Sequence, residues 1–166
     1  MKTIVLTGMM GSGKTATGKL LASELNLSFY DIDTIIEQNE NCSISEIFEK
    51  KGEDYFRKIE QLMIKNILIP ENQIISLGGG AFENAETREL LLDKTTVIYL
   101  KTSAEIIYER IKNDTTRPLL KNNLTVERIN DLIQIREKNY TLAKCVVLTD
   151  NKTLEQVAAE ITECVN

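Results

Sequence analysis

Short apolar runs of strand length alternate along this chain with longer stretches in which apolar residues recur every three to four positions. Residues 3–7, 28–31, 73–77, 95–100 and 145–148 show the first pattern and predict five strands, the later ones apolar enough to be covered on both faces. Residues 14–25 align Leu20, Leu21 and Leu25, 54–69 align Phe56, Ile59, Met63 and Ile67, and 103–112 align Ile106, Ile107 and Ile111, so each predicts an amphipathic helix. Ser43-x-x-Glu46, Thr102-x-x-Glu105 and Thr153-x-x-Gln156 match the capping box, in which side chains satisfy orphan N–H groups at a helix start. Strands alternating with helices predict an α/β fold built on right-handed crossovers, with a parallel sheet and helices on both of its faces. Pro70 and Pro118 alone punctuate the chain, and the polar, Pro-broken stretch 112–123, KNDTTRPLLKNN, predicts a mobile loop between two helices.

Composition narrows the chemistry. A length of 166 residues suits one domain with one core. The net charge of -5 and 5% aromatic content argue against a nucleic-acid partner, whose phosphates call for a basic surplus and whose bases call for stacking platforms. No histidine occurs, so His-dependent triads and the commonest zinc ligand are excluded, and catalysis falls to carboxylates, Lys, Arg, hydroxyls, backbone groups or a metal. Cys42, Cys145 and Cys164 are odd in number and lack C-x-x-C spacing, which predicts idle thiols in a reducing cytoplasm rather than a disulfide framework. The apolar stretch at residues 4–6 is too short for a signal peptide or a membrane span, so a soluble, intracellular protein is expected.

The strongest motif is Gly8-x-x-x-x-Gly13-Lys14-Thr15, placed after a predicted buried strand and at the start of a predicted helix. Glycines there let backbone N–H groups turn around a phosphate and the helix N-terminus adds positive charge; Lys14 reaches the β- and γ-phosphates, and the Thr15 hydroxyl ligates Mg²⁺. The stretch YDID, residues 30–33, ends the second strand, and the i, i+2 spacing of an extended chain points Asp31 and Asp33 to one side. They either divide work between a hydrated Mg²⁺ and a substrate hydroxyl or cap the next helix. The third strand ends in SLGGGA without the acid that many P-loop enzymes carry there, which makes Asp31 the metal-side carboxylate and leaves Gly78, Gly79 and Gly80 for close approach to a ligand. Arg57, with Glu60 a turn away, Arg117 in the loop, and Arg136, with Tyr140 a turn away, are surface charges unless they converge on a small anion.

Taken together, GMMGSGKT, DID, IFEKKGEDYFRKIE, GGGA, RPLL and REKNY resemble, in order and spacing over almost the whole chain, the shikimate kinases. The resemblance implies a three-layer P-loop kinase fold similar to the nucleoside monophosphate kinases. Its five parallel strands would run in the order 2-3-1-4-5 within one domain, residues 1–166, with a substrate-binding segment at about 32–60 and a lid at about 112–124. It implies that ATP phosphorylates the shikimate 3-hydroxyl, giving shikimate 3-phosphate and ADP on the way to chorismate and the aromatic amino acids. By position, Asp33 would hydrogen-bond the shikimate hydroxyls and take the proton of the attacking one, while Arg57 and Arg136 clamp the carboxylate. The backbone of Gly78, Gly79 and Gly80 would lie against the substrate, with Phe48 and Phe56 as apolar walls. ATP would be held by Gly11, Ser12, Gly13, Lys14, Thr15, Ala16 and Arg117, with Arg110 packing on adenine; Mg²⁺ would sit at Thr15 and, through water, Asp31. Lys14 and Arg117 join Asp33 as catalytic groups. The partners implied are ATP and shikimate only, with no nucleic acid or membrane, and a cytoplasmic monomer. A gluconate or nucleoside monophosphate kinase, a nucleotide-binding regulator without chemistry, and a nucleic-acid-linked ATPase are the alternatives.

Overall fold

The computed structural model describes residues 2–68, 72–113 and 124–165. Its centre is β1 (Ile4–Thr7), wholly buried and flanked by parallel neighbours on both sides: Val5 pairs with Ile75 of β3 (Gln73–Ser76) and with Val97 of β4 (Thr96–Lys101). The sheet is completed by β2 (Ser28–Asp31) beside β3 and β5 (Cys145–Leu148) beside β4, giving the order β2-β3-β1-β4-β5 with every pair parallel. This is the expected architecture.

Alternation along the strands builds two cores. Ile4, Leu6, Ile74, Ile98, Leu100 and Val147 face α1 (Lys14–Leu25) and α8 (Leu154–Val165), which contribute Leu21, Val157 and Ile161. Val5, Ile75, Val97 and Tyr99 face the other layer. That layer holds α2 (Ile32–Glu40), α3 (Ile44–Lys51), α4 (Glu53–Ile67), α5 (Ala85–Lys94), α6 (Ala104–Ile111) and α7 (Val126–Tyr140). Strands apolar on both faces need helices on both sides, which is why β1, β3 and β4 read as unbroken apolar runs.

Several expectations need correction. β5 is an edge strand, not buried on both faces: Val146 and Leu148 are 42% and 55% exposed. Asp33 does not lie in an extended chain; Asp31 ends β2 and immediately caps α2, its carboxylate accepting from the Thr34 N–H at 3.3 Å, so Asp33 sits in the first helical turn. No capping box forms at Thr102. Ser103 is the cap residue and its N–H donates to Asp150 Oδ1 at 3.0 Å, while the Thr102 and Thr149 hydroxyls bond each other at 2.6 Å, so tertiary partners replace local ones. Boxes do form at Ser43 and at Thr153. Cys145 and Cys164 are joined as a disulfide, because α8 folds back along β5 and brings together residues 19 apart; Cys42 is the free thiol. Pro70, Pro118, Arg117 and the body of the expected lid lie outside the described residues. No helix among the described residues is long and apolar enough to cross a membrane.

Candidate active site

All five strands point their carboxyl ends at one edge of the sheet, and the loops leaving that edge line a cleft of about 700 Å³. Ligands of open α/β sheets bind there because successive crossovers diverge and leave a crevice. The cleft is lined by Gly11, Ser12, Gly13, Lys14, Thr15 and Ala16 after β1, Asp31 and Asp33 after β2, and Gly78, Gly79 and Gly80 after β3. Phe48, Phe56, Arg57, Arg110 and Arg136 close its walls from the helices. Every described residue expected at the site therefore faces one cavity. Arg117 falls outside the described residues.

At the nucleotide end, Gly13 caps α1 with φ at 94° and no side chain on the helix N–H groups, leaving the first-turn donors to a ligand. Gly8 has φ at 140°, and a Cβ there would lie 2.5 Å from the Leu100 carbonyl oxygen, so only glycine fits the start of this loop. Lys14 is buried, its ammonium donating to the carbonyls of Gly8 at 2.9 Å and Met9 at 2.8 Å. The Thr15 hydroxyl donates to Asp31 Oδ2 at 2.6 Å. Asp31 thus both caps a helix and touches the P-loop, so the two readings of this carboxylate are compatible. Arg110 reaches across from α6 to the Gly11 carbonyl at 3.0 Å. Lys152, Thr153, Leu154 and Val157, which follow β5, line the same cleft and were not expected there; the capping box at Thr153 marks a helix start and no ligand, so only their place after a strand's carboxyl end points to the site.

At the other end the glycine triplet is a platform on which charged groups rest. A Cβ on Gly78 would lie 2.6 Å from Asp33 Oδ1 and 2.7 Å from Glu60 Oε1, and one on Gly80 would lie 2.6 Å from Arg57 Nη2. Any side chain at these positions would displace them. Arg57 donates from Nη1 to Glu60 Oε2 at 2.8 Å and from Nη2 to Glu53 Oε1 at 3.2 Å. Its own burial disfavours its charge, but Glu60 and Glu53 more than offset that and raise its pKa. Burial, above all, pushes Glu60 up to about 7, with Arg57 pulling the other way and the Asp33 charge adding to the rise. Arg136, only 8% exposed, donates from Nη1 to the Gly79 carbonyl at 2.9 Å and touches the Met9 sulfur at 3.7 Å. Among the described residues no carboxylate forms an ion pair with Arg136.

A phosphate cradle, an acid beside it and a buried guanidinium without a carboxylate partner among the described residues, all facing the same cavity, define a site for transferring phosphate to a small anionic acceptor. Comparison with known proteins agrees. The family model described as "Shikimate kinase" matches residues 10–166. A shikimate kinase of a Sulfurihydrogenibium species is 42% identical over 97% of this chain and 96% of its own length. One of Thermodesulfovibrio yellowstonii is 43% identical, covering 97% and 93%. The solved structure of an Acinetobacter baumannii shikimate kinase in complex with shikimate superposes with a TM-score of 0.95 at 33% identity, covering 99% of this chain and 93% of that one. A gluconokinase of Sinorhizobium meliloti, 14% identical with a TM-score of 0.60 over 99% of this chain and 91% of that one, shares the fold. The chain belongs to the shikimate kinase family.

Proposed function

We propose a division of labour for the reaction that defines this family, transfer of the γ-phosphoryl group of ATP to the 3-hydroxyl of shikimate. ADP and shikimate 3-phosphate leave, a step towards chorismate and the aromatic amino acids. The observation that carries the acceptor end is Arg136: a buried guanidinium without a carboxylate among the described residues is costly unless an anion completes it, and the shikimate carboxylate does so. Arg57, held in place by Glu53 and Glu60, supplies the second arm of the clamp. Asp33, against Gly78, accepts the hydroxyl bonds of the ring and orients the attacking oxygen towards the P-loop. The backbone of Gly78, Gly79 and Gly80 forms the floor, and Phe48 and Phe56, with ring centroids 4.9 Å apart, form an apolar wall.

On the nucleotide side the N–H groups of residues 11–16 bind the phosphates, and Lys14 leaves the carbonyls of Gly8 and Met9 for the transferring group. Arg110 packs against adenine, and Arg117 adds charge to the phosphates from a lid spanning about 112–124 that excludes water. The Thr15 hydroxyl and Asp31 carboxylate, side by side, are the hard oxygen donors that suit Mg²⁺, Asp31 acting through water. These two residues would hold Mg²⁺, which would supply positive charge against the phosphates. The protein acts as a cytoplasmic monomer on two small molecules, with no nucleic-acid or membrane partner.

The test is ADP release with Mg-ATP and shikimate, gluconate, nucleoside monophosphates or no acceptor. Turnover confined to shikimate is expected; turnover with gluconate instead overturns the acceptor assignment. Asp33→Asn is predicted to keep ATP binding and to lose turnover by on the order of a hundredfold or more, the range of a group that handles the reacting proton. Near-normal kcat in that variant refutes the role given to Asp33.

A further inference from the structure

The Gly79 carbonyl receives two donors from a single helix, Arg136 Nη1 at 2.9 Å and the Tyr140 hydroxyl. The two side chains stand one turn apart on α7. Both also touch the Met9 sulfur of the P-loop, at 3.7 Å and 3.9 Å. Tyr140 is fully buried, its ring held 4.9 Å from that of Tyr99 and 6.5 Å from that of Phe82. Burial pushes the phenol up to about 12, so the hydroxyl stays protonated and donates. Phenylalanine would fill the same space, so packing alone gives no reason for an oxygen at this depth.

The backbone around Gly79 carries no side chains to hold it, while the guanidinium anchored on it must meet a carboxylate within a narrow range of angles. We propose that Tyr140 is a positioning residue for the acceptor: its hydroxyl pins the Gly79 carbonyl, and the pinned carbonyl fixes the plane of Arg136 for the carboxylate of the substrate. The inference rests on the reading of Arg136 as a carboxylate clamp. Tyr140 does not line the cleft, whereas Gly79 and Arg136 do, so it acts through them.

Steady-state kinetics of Tyr140→Phe, Arg136→Lys and the double variant, with shikimate and with its methyl ester, test this. Tyr140→Phe is expected to raise the KM for shikimate about tenfold, the size of one buried hydrogen bond, with kcat and the KM for ATP within about twofold. The penalty should vanish with the ester, which offers Arg136 no carboxylate, and the double variant should bind shikimate no worse than Arg136→Lys alone. An unchanged shikimate KM in Tyr140→Phe, or equal penalties with acid and ester, overturns the proposal whatever happens to the melting temperature. An Arg136→Lys variant with unchanged shikimate KM instead overturns the clamp itself, so the two failures are distinguishable.

Discussion

Glu60 shows how a single buried side chain sets a pH dependence. It is 3% exposed; one carboxylate oxygen accepts from Arg57 and the other, Oε1, has no hydrogen-bond partner among the described residues. Unfolded, the group titrates near 4.5; folded, burial holds it at about 7, so between those values the native chain retains a proton that the unfolded chain has released. A raised carboxylate therefore gives stability that is complete below pH 4.5 and lost as the pH climbs to about 7, a span worth on the order of 3 kcal/mol. Glu60→Gln has no such titration. The melting temperature of the native chain should fall relative to this variant between about pH 5 and about pH 8, and parallel pH profiles for the two would refute the assignment. The i, i+3 spacing of Arg57 and Glu60 made the pair legible in the sequence, but not its depth: depth comes from the glycine platform, and only the folded chain brings Gly78 between Glu60 and Asp33.

At the level of elements, local signals were readable where local chemistry decides and misleading where tertiary partners do. α1 spans Lys14–Leu25 as its apolar spacing predicts, and β2 and β5 have the expected bounds. α2 was allowed for by the reading of the aspartates as a helix cap but given no bounds, because Asp31 closes a strand and opens a helix with no loop between, so Asp33 read as the second half of an extended pair. α5 was missed, since Asn84 caps it without the Glu or Gln that completes a box. At α6 the N-terminal donor is taken by Asp150, a residue 47 positions away, which no local pattern encodes. Ser43 is the opposite case: its hydroxyl accepts from the Glu46 N–H at 3.2 Å while Glu46 returns a bond to the Ser43 N–H at 2.9 Å. Removing that cap by Ser43→Ala should cost about 1 kcal/mol in denaturant unfolding. Because α3 also carries Phe48 into the cleft, a modest rise in shikimate KM should accompany it with kcat unchanged. Wild-type stability in this variant would mean that packing of Ile47 and Phe48, not the cap, sets the start of α3.

Across the whole molecule, one sheet edge gathers the phosphate cradle, the acids and the arginines, since parallel strands all end on the same side and each loop there contributes to one cavity. For the strand ends that convergence was readable in outline from strands alternating with helices; for the arginines, which come from helices, it was left open. The covalent link was not: Cys145 lies on the edge strand and Cys164 near the end of α8, and they meet only because α8 packs along β5. The bond ties the last helix to the sheet, and the start of that same helix, Leu154 and Val157, lines the cleft. Closing a loop of this length restricts the unfolded chain by about 3 kcal/mol, which for a chain of this size corresponds to a melting temperature about 6–12 °C higher. Reducing surroundings oppose the bond and oxidising ones preserve it, so the oxidised and reduced chains should be distinguishable. With two of the three cysteines paired, a thiol titration of the unfolded, oxidised protein should find Cys42 alone, rising to all three after reductant, with melting lowered by the amount above and equally low in Cys164→Ser with or without reductant. Three free thiols before reduction, with no response of melting to reductant, would show that Cys145 and Cys164 lie together as thiols and that packing on β5 alone holds α8.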